Sequence, residues 1–332
     1  MSHVTRGFRR GLSTAAVASV AIGIGIAVSL AGPAAAAPAS RVVIDTGQLI
    51  VTGTNHADNI TLTVPAADTT VLEVDFADGT AKRTVKRSDF GQIQVNSRGG
   101  NDVVRIDYGA EVQPFTIIDT GDGDDTAFGG SGNELFRTGA GNDAVDGNRG
   151  TDTALLGNGS DTFTWDPGDG SDVIEGNRGQ DTMVFNGAAA AEKFVAAANG
   201  SRLRFTRDLG NIVMDTDDVE RVTLNALGGA DTVTVGDLRG TDVRKVGIDL
   251  GAQLNTSGGD SAVDAVTVTG TPGKDHIRVS GSAGNVRVSG LRTNVTLSDA
   301  DPTDHLTLAT LTGKDKVTTT KLTPTTITLN IL

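Results

Sequence analysis

The chain of 332 residues contains no cysteine, and only 4% of its residues are aromatic. Without cysteine, no disulfide can stabilise the fold. Few aromatic side chains together with 44 glycines indicate many tight turns around a thin core, not one large globular core. A chain of this length is compatible with two or three domains or with one elongated solenoid.

Catalytic motifs are lacking as well. The four histidines are His3, His56, His276 and His305. None belongs to an HExxH metal-binding motif or follows a GxSxG nucleophile elbow. Trp165 and Tyr108 are the only residues of their types, which disfavours a cleft that stacks on sugar rings. The sequence therefore predicts a protein that is not an enzyme.

A long apolar run occurs only at the N-terminus. Three arginines precede an apolar run from Ala15 to Leu30, and an alanine-rich stretch ends at Ala36. This order is typical of an export signal, here residues 1–36 with cleavage after Ala36, whereas a membrane anchor is disfavoured by the alanine-rich site. Arg9-Arg10 leaves both general and twin-arginine export open. We expect a secreted, extracellular protein with no membrane span after signal removal.

Positive charge is scarce in the predicted mature chain. Residues 1–36 contain three arginines and no acid, so their removal changes the formal charge from -13 to -16. Residues 119–184 contain fourteen acids and only Arg137, Arg149 and Arg178, a local charge of -11. Such an acidic surface disfavours nucleic acid and anionic membranes as partners and favours cations.

The acids of residues 119–184 recur with a period. The unit has nine residues, with glycine at its fourth position and a carboxylate at its sixth. The acids are Asp125, Glu134, Asp143, Asp152, Asp161, Asp172 and Asp181, at steps of nine, nine, nine, nine, eleven and nine. Glycine lies two residues before each acid. A solvated acidic face would keep no such period, so the spacing predicts one repeated structural unit.

This unit predicts a coil of short strands. In Gly139 to Val145, the glycines permit positive φ in a tight turn, and the residues after the acid can form a short strand. If two units complete one turn, acids eighteen residues apart lie on the same edge, at about the 4.8 Å spacing of neighbouring strands. One edge then carries Asp125, Asp143, Asp161 and Asp181, and the other carries Glu134, Asp152 and Asp172.

Apolar residues follow the same register. The residues two positions after the acids are predicted to point inward: Ala127, Phe136, Val145, Ala154, Phe163, Ile174 and Met183. Small and large side chains alternate in this series, so bulk on one wall meets space on the other. A coil of about seven units buries little apolar surface, so a bound ion would supply part of the folding free energy.

Stacked carboxylates predict a metal. Acids this close repel one another unless a cation lies between them. Oxygen ligands in a flexible turn, together with main-chain carbonyls of the glycines, suit Ca²⁺ better than the smaller and strictly octahedral Mg²⁺. We therefore expect several calcium ions.

The segment resembles the haemolysin-type, or RTX, calcium-binding repeat, with consensus GGxGxDxUx. The resemblance implies a right-handed parallel β-roll with two repeats per turn and calcium between consecutive turns, held by the acids and by turn carbonyls. The turn glycines are Gly121, Gly123, Gly130, Gly132, Gly139, Gly141, Gly150, Gly157, Gly159, Gly168, Gly170 and Gly179. Three features depart from the consensus: Glu134 replaces Asp, Asn148 and Asn177 replace glycine, and Trp165-Asp166 adds two residues, predicted to bulge outward.

Both flanks contain weaker copies of the motif. Residues 53–60 resemble residues 270–277, and each predicts a turn followed by a strand. Gly–Asp turns also occur near residues 98–104, 228–233 and 313–317. These isolated copies lack the stacked partner eighteen residues away, so we expect them to be mainly turns. Asn199-Gly200 predicts a hairpin turn, and residues 188–198 are the one segment with a helical alternative.

The predicted fold is all-β: a parallel β-roll, or β-solenoid, of nonapeptide repeats flanked by β-rich solenoid or sandwich segments. The expected divisions are a signal peptide at 1–36, an N-terminal β-rich segment at 37–118, the β-roll at 119–184, and a C-terminal β-rich segment with degenerate repeats at 185–332.

Three functions are compatible with these features of the sequence. The leading one is a secreted, noncatalytic protein in which calcium bridges successive turns of an acidic β-roll and orders it. The second is an adhesion or structural protein, with calcium as a rigidifier and cell-surface or extracellular matrix components as partners. The third is a β-helix enzyme acting on polysaccharides; the carboxylate pairs disfavour it because they belong to the repeat.

Overall fold

A computed structural model describes residues 39–332. The predicted signal peptide and its cleavage point at Ala36 lie outside the described residues. No α-helix occurs within residues 39–332. This part of the chain therefore contains no helix long and apolar enough to cross a membrane. The described chain is built from β-strands and two short 3-10 turns, Arg87–Asp89 and Leu209–Asn211. The all-β prediction is confirmed.

Thirty strands follow one another along this part of the chain. They are β1 (Arg41–Asp45), β2 (Gln48–Thr52), β3 (Asn59–Thr63), β4 (Val71–Asp75), β5 (Arg83–Lys86), β6 (Gln92–Asn96), β7 (Val103–Asp107), β8 (Thr116–Asp119), β9 (Thr126–Phe128), β10 (Glu134–Arg137), β11 (Ala144–Asp146), β12 (Thr153–Leu155), β13 (Asn158–Gly159), β14 (Thr162–Trp165), β15 (Val173–Glu175), β16 (Arg178–Gly179), β17 (Thr182–Asn186), β18 (Lys193–Asn199), β19 (Arg202–Arg207), β20 (Ile212–Asp217), β21 (Arg221–Asn225), β22 (Thr232–Val235), β23 (Lys245–Asp249), β24 (Ala265–Thr269), β25 (His276–Ser282), β26 (Asn285–Ser289), β27 (Asn294–Ser298), β28 (His305–Ala309), β29 (Lys316–Thr320) and β30 (Thr328–Ile331).

Most of these strands belong to two sheets of fourteen strands each. The first sheet has the order β1-β2-β6-β8-β10-β12-β15-β20-β19-β18-β22-β24-β28-β30. The second has the order β29-β25-β26-β27-β23-β21-β17-β14-β11-β9-β7-β3-β4-β5, and β13 pairs with β16 separately. Between β8 and β12 consecutive strands alternate between the two sheets, and the neighbours within each sheet are parallel. This pattern is a β-solenoid, as predicted.

The core lies between the two sheets. All seven residues predicted to point inward are buried, with at most 1% of each exposed. The parallel register aligns Val145 with Ala127 on one side and with Phe163 on the other. In the opposite sheet Phe136 is aligned with Ala154. Large residues neighbour small ones at these positions, whereas Phe163 is aligned with Met183 and Phe136 with Ile118.

Close approach between turns explains the glycines. A Cβ on Gly141, where φ is +143°, would lie 1.9 Å from the carbonyl oxygen of Gly123 one turn earlier. At Gly170 a Cβ would lie 1.4 Å from the carbonyl oxygen of Gly150. Asn148 and Asn177 adopt positive φ values of 55° and 65°, in keeping with the tolerance of asparagine for this conformation.

The two-residue insertion is accommodated by an exposed turn over residues 166–168. Trp165 itself points inward: its ring stacks on Phe185 with 4.1 Å between centroids, and its Nε1 donates to the carbonyl of Gly170 at 2.7 Å. Phe185 in turn contacts Phe194 and Phe205. This aromatic cluster fills the core where the nonapeptide repeat gives way to longer turns.

Both sheets continue past the repeat in each direction. In the flanks the coil is widened by antiparallel insertions, β3-β4-β5, β18-β19-β20 and β25-β26-β27. The predicted turn at Asn199-Gly200 joins β18 to β19, with φ of +69° at Gly200. The helical alternative for residues 188–198 is wrong, because Lys193–Asn199 pairs on both sides as β18.

Candidate metal centre

The repeat acids form two stacks on opposite edges of the coil. We call Asp125, Asp143, Asp161 and Asp181 the first column, and Glu134, Asp152 and Asp172 the second column. Each of the six aspartates directly precedes a strand, and Glu134 begins β10. All seven side chains are buried, with at most 2% exposed. The structure thus assembles the predicted acids into the predicted groups.

Within a column, each acid holds the backbone of the preceding turn. The amide N–H of Asp125 donates to Oδ1 of Asp143, and that of Asp143 donates to Oδ1 of Asp161, both at 2.8 Å. The second column repeats this bond, from Asp152 to Asp172 at 2.9 Å. One carboxylate oxygen of each acceptor is therefore used to align successive turns.

The second carboxylate oxygen of each repeat aspartate, Oδ2, does not align a neighbouring turn. Oδ2 has no hydrogen-bond partner among the described residues in any of the six repeat aspartates, Asp125, Asp143, Asp152, Asp161, Asp172 and Asp181. A buried and unpaired polar atom costs about 1–3 kcal/mol, and more when it is charged. Six such atoms in one short segment mark where a partner from outside the chain would bind.

Glu134 departs from this pattern. Its Oε1 accepts a hydrogen bond from Nε2 of Gln113, and its Oε2 accepts one from the amide of Gly130 at 3.0 Å. Gln113 also accepts from the amide of Ser131 at 2.8 Å. Both oxygens of Glu134 are thus already satisfied by the protein. Gln113 was not predicted, because it lies before the first glycine of the repeat and outside its period.

Burial changes the protonation of the columns. It raises the pKa of Asp152 to about 9, with repulsion from Glu134 as the next cause. Burial likewise raises the pKa of Asp143, Asp172 and Asp181 to about 7. Removal of charged oxygens from water disfavours the ionised form. A cation held by these oxygens would restore the ionised form.

The donor set fits Ca²⁺. It consists of hard carboxylate oxygens on flexible turns, with main-chain carbonyls packed beside them, as at Gly123 against Gly141. Calcium accepts six to eight such oxygens in variable geometry. The unpaired Oδ2 atoms of the two columns are the ligand atoms that the chain itself leaves available.

The comparison with protein families agrees with this geometry. The family model of the RTX calcium-binding nonapeptide repeat matches four copies, over residues 117–133, 128–163 and 168–187. This segment is an RTX repeat array. The family binds Ca²⁺, and the chain is a calcium-binding β-roll protein. No curated protein matches the chain.

Outside the RTX array, three more acids have the same environment; the sequence indicated the turns of two of them only as weak copies and did not single out Asp264. Asp102, Asp231 and Asp264 are buried, and Oδ2 of each is without a hydrogen-bond partner in the described part of the chain. The amide of Asp58 donates to Asp102, 44 residues away, and the amide of Asp102 donates to Asp125, 23 residues away. Asp102 therefore does have stacked partners, but at spacings other than eighteen residues.

Insertions remove the eighteen-residue spacing because they lengthen the turns of the coil: the hairpin β3-β4-β5 lies between Asp58 and Asp102, and a long loop before β8 lies between Asp102 and Asp125. Gly–Gly–Asn–Asp at residues 99–102 marks this turn in the sequence, but its period gives no indication of the stacked partners. The first column consequently extends one turn before Asp125.

A separate acidic group lies at Asp217, Asp218 and Asp242, whose nearest carboxylate oxygens are all within 4.8 Å of one another. None of these side chains is buried. Arg202 lies 3.4 Å from Asp217. Partial neutralisation and access to water distinguish this group from the columns.

Beyond the RTX array, one buried acid is neutralised by an arginine. Glu192 directly precedes β18, and its Oε1 contacts Nε and Nη2 of Arg207. Its Oε2 accepts from the amide of Ala188 at 2.7 Å. Arg207 also lies 5.1 Å from the ring of Trp165. Here the protein supplies its own cation.

Arg207→Gln is expected to lower the free energy of unfolding by about 3–5 kcal/mol, because Glu192 would remain buried without a counter-charge. Chemical denaturation measures the loss. Arg239→Gln is the matched control, since it breaks an exposed pair with Asp237, and should cost at most about 1 kcal/mol. Equal losses in the two variants would contradict the assignment. Adding Glu192→Gln to Arg207→Gln should recover part of the loss.

Proposed function

We propose that the protein is a secreted, noncatalytic calcium-binding β-roll protein, in which calcium bridges successive turns of the acidic array and orders it. The observation that carries the proposal is the set of six buried aspartates whose Oδ2 atoms have no partner among the described residues. The proposed ligands are these aspartates and the turn carbonyls. Glu134 contributes less, because Gln113 already binds it.

Metal-coupled ordering follows from the two roles of each carboxylate. Oδ1 aligns the neighbouring turn, and this bond can form only when the turns are stacked. Stacking also buries Oδ2 and brings acids of the same sign together, which opposes folding. Bound calcium supplies the compensating positive charge. Because the unfolded chain has no such site, the binding free energy becomes folding free energy.

Secretion is supported by the export-like sequence of residues 1–36 and by the family, whose members are typically secreted bacterial proteins. Calcium is commonly plentiful outside the cytoplasm, so the sites would be filled after export. The array would therefore become ordered after export.

The noncatalytic role is supported by the positions of the residues that an enzyme would use. Trp165 and Tyr108 are each 1% exposed, so neither ring offers a platform for a sugar. His56 and His276 are exposed at turns or strand starts far apart in sequence, and His305 is half-buried. Activity that survives Asp143→Asn with Asp161→Asn in a folded protein would instead favour an enzyme.

Adhesion is the second candidate, and the continuity of both sheets through all three predicted segments favours it. A continuous roll stiffened by calcium would serve as a spacer between surface or matrix components. Fractionation distinguishes the candidates: protein in the medium supports the first, and protein retained on the cell surface supports adhesion.

Calorimetric titration of residues 37–332 with calcium tests the proposal, with magnesium as the matched control and circular dichroism to follow strand content. We expect several calcium ions to bind, with a gain of β structure, and weaker binding of magnesium. Absence of calcium heat together with an unchanged spectrum would show that the repeat is purely structural.

A further inference from the structure

A third stack of acids lies in the C-terminal flank, outside the residues matched by the family model. We call Glu192, Asp231, Asp264 and Asp304 the flank column. Each directly precedes a strand of the first sheet, namely β18, β22, β24 and β28. Consecutive members are joined by amide-to-carboxylate hydrogen bonds of 2.9, 2.7 and 3.0 Å. The arrangement repeats that of the RTX array at spacings of 39, 33 and 40 residues.

The two ends of the flank column are satisfied by the protein. Glu192 is paired with Arg207, as described above. At the other end, Oδ2 of Asp304 accepts a hydrogen bond from the amide of Asp301 at 2.7 Å. Both terminal acids therefore have a partner for each carboxylate oxygen.

The two middle acids have no such compensation. Asp231 is 1% exposed and Asp264 is 0% exposed. Oδ2 of each has no hydrogen-bond partner within residues 39–332, and neither residue takes part in an ion pair there. Within the same stack, Arg207 pairs with Glu192, whereas no described cationic side chain pairs with Asp231 or Asp264.

Further carboxylates surround the middle pair. Asp260 accepts from the amide of Gly229 at 2.8 Å, and Asp301 accepts from the amide of Ser261 at 2.8 Å. These bonds bring both acids into the turns that carry Asp231 and Asp264. The local charge is strongly negative, and the available donors are all oxygen, which is the chemistry of a hard divalent cation.

We propose that Asp231 and Asp264 hold a divalent cation, calcium by ligand chemistry, in a flank site separate from the RTX array. Its acids are 33 residues apart, so a nine-residue repeat pattern does not describe the site. The site shares its ion with the proposed function, but none of its residues. The bound cation would stabilise the pairing of β22 with β24, as the proposed ions of the array would stabilise the pairing of its shorter strands.

Hydrogen exchange of residues 37–332, measured by mass spectrometry with and without calcium, tests the flank site locally. At calcium 100 times the dissociation constant, opening that releases the ion is expected to slow about 100-fold. Peptides covering residues 226–235 and 258–268 should show this protection. Protected array peptides beside unprotected flank peptides would overturn the flank site and leave the proposed function standing; lack of protection in both regions would overturn both.

Asp231→Asn with Asp264→Asn provides the matched variant. Asparagine keeps the Oδ1 acceptor and removes the charge, so the flank peptides should lose calcium protection while the array peptides retain it. Asp237→Asn is the control, because that acid pairs with Arg239 on the exposed surface, and it should change neither region. Flank protection that persists in the double variant would assign the cation elsewhere. If the double variant does not fold, the wild-type exchange data decide.

Discussion

Replacing Asp143 and Asp161 together with asparagine is expected to abolish most of the stabilisation that calcium gives the array. Both lie inside the first column, with an acid of the same column on each side. Each therefore belongs to two neighbouring sites. A single site at calcium 100 times its dissociation constant contributes about 2.7 kcal/mol. Replacing both acids impairs the three sites between Asp125 and Asp181, and the loss, about 8 kcal/mol, is as large as the whole stability of an ordinary domain.

Denaturation of the double variant and wild type, each with and without calcium, measures this effect. Without calcium the variant should be at least as stable as wild type, because asparagine retains the Oδ1 acceptor and removes a buried charge. Asp89→Asn with Asp122→Asn removes the same charge from exposed positions and serves as the control. Equal calcium stabilisation in all three proteins would show that the columns do not bind the ion.

The position of Asp125 modifies an expectation from the sequence. The repeat places Asp125 and Glu134 at an open N-terminal end, where replacement should be mild. Asp125 does not lie at the end of its column, because Asp102 extends the first column and its amide donates to Asp125 at 2.7 Å. The mild effect stays a prediction for Glu134, whose carboxylate Gln113 already binds. Asp125→Asn should therefore weaken calcium stabilisation more than Glu134→Gln.

The metal-free protein is expected to become more stable as the pH falls from about 9 towards about 4. Burial raises the pKa of Asp152 to about 9 and that of Asp143 to about 7, against about 3.9 in an unfolded chain. The folded state then binds more protons than the unfolded state, so stability is greatest below the unfolded pKa and is lost as pH rises through the folded values.

Saturating calcium should reverse this dependence, because protons and calcium compete for the same carboxylate oxygens. Melting temperatures at pH 5 and pH 8, for metal-free and calcium-saturated protein, provide the test. We expect the metal-free protein to melt higher at pH 5 and the calcium-saturated protein to melt higher at pH 8. The same trend in both states would contradict a role for the buried carboxylates in binding the ion.

The nine-residue period by itself determined the coil of short strands and its inward side chains; with two units per turn, as the resemblance to the RTX repeat implies, it also determined the two acidic columns. Phe136 and Phe163 are buried where the register predicted, and Asp143 stacks between acids eighteen residues away on either side. This was possible because each unit is a complete turn and strand. With no insertion, sequence distance alone determines which residues become neighbours.

Only the tertiary structure decided what surrounds those columns. Gln113 binds Glu134, Arg207 neutralises Glu192, and Asp231 stacks on Asp264 without a counter-charge. Gln113 lies in the long turn before β8, Arg207 returns to Glu192 through the antiparallel pairing of β18 with β19, and long turns separate Asp231 from Asp264. None of these distances follows the nine-residue period. Asp231 and Asp264 come together because β22 and β24 are parallel neighbours in one sheet of the coil.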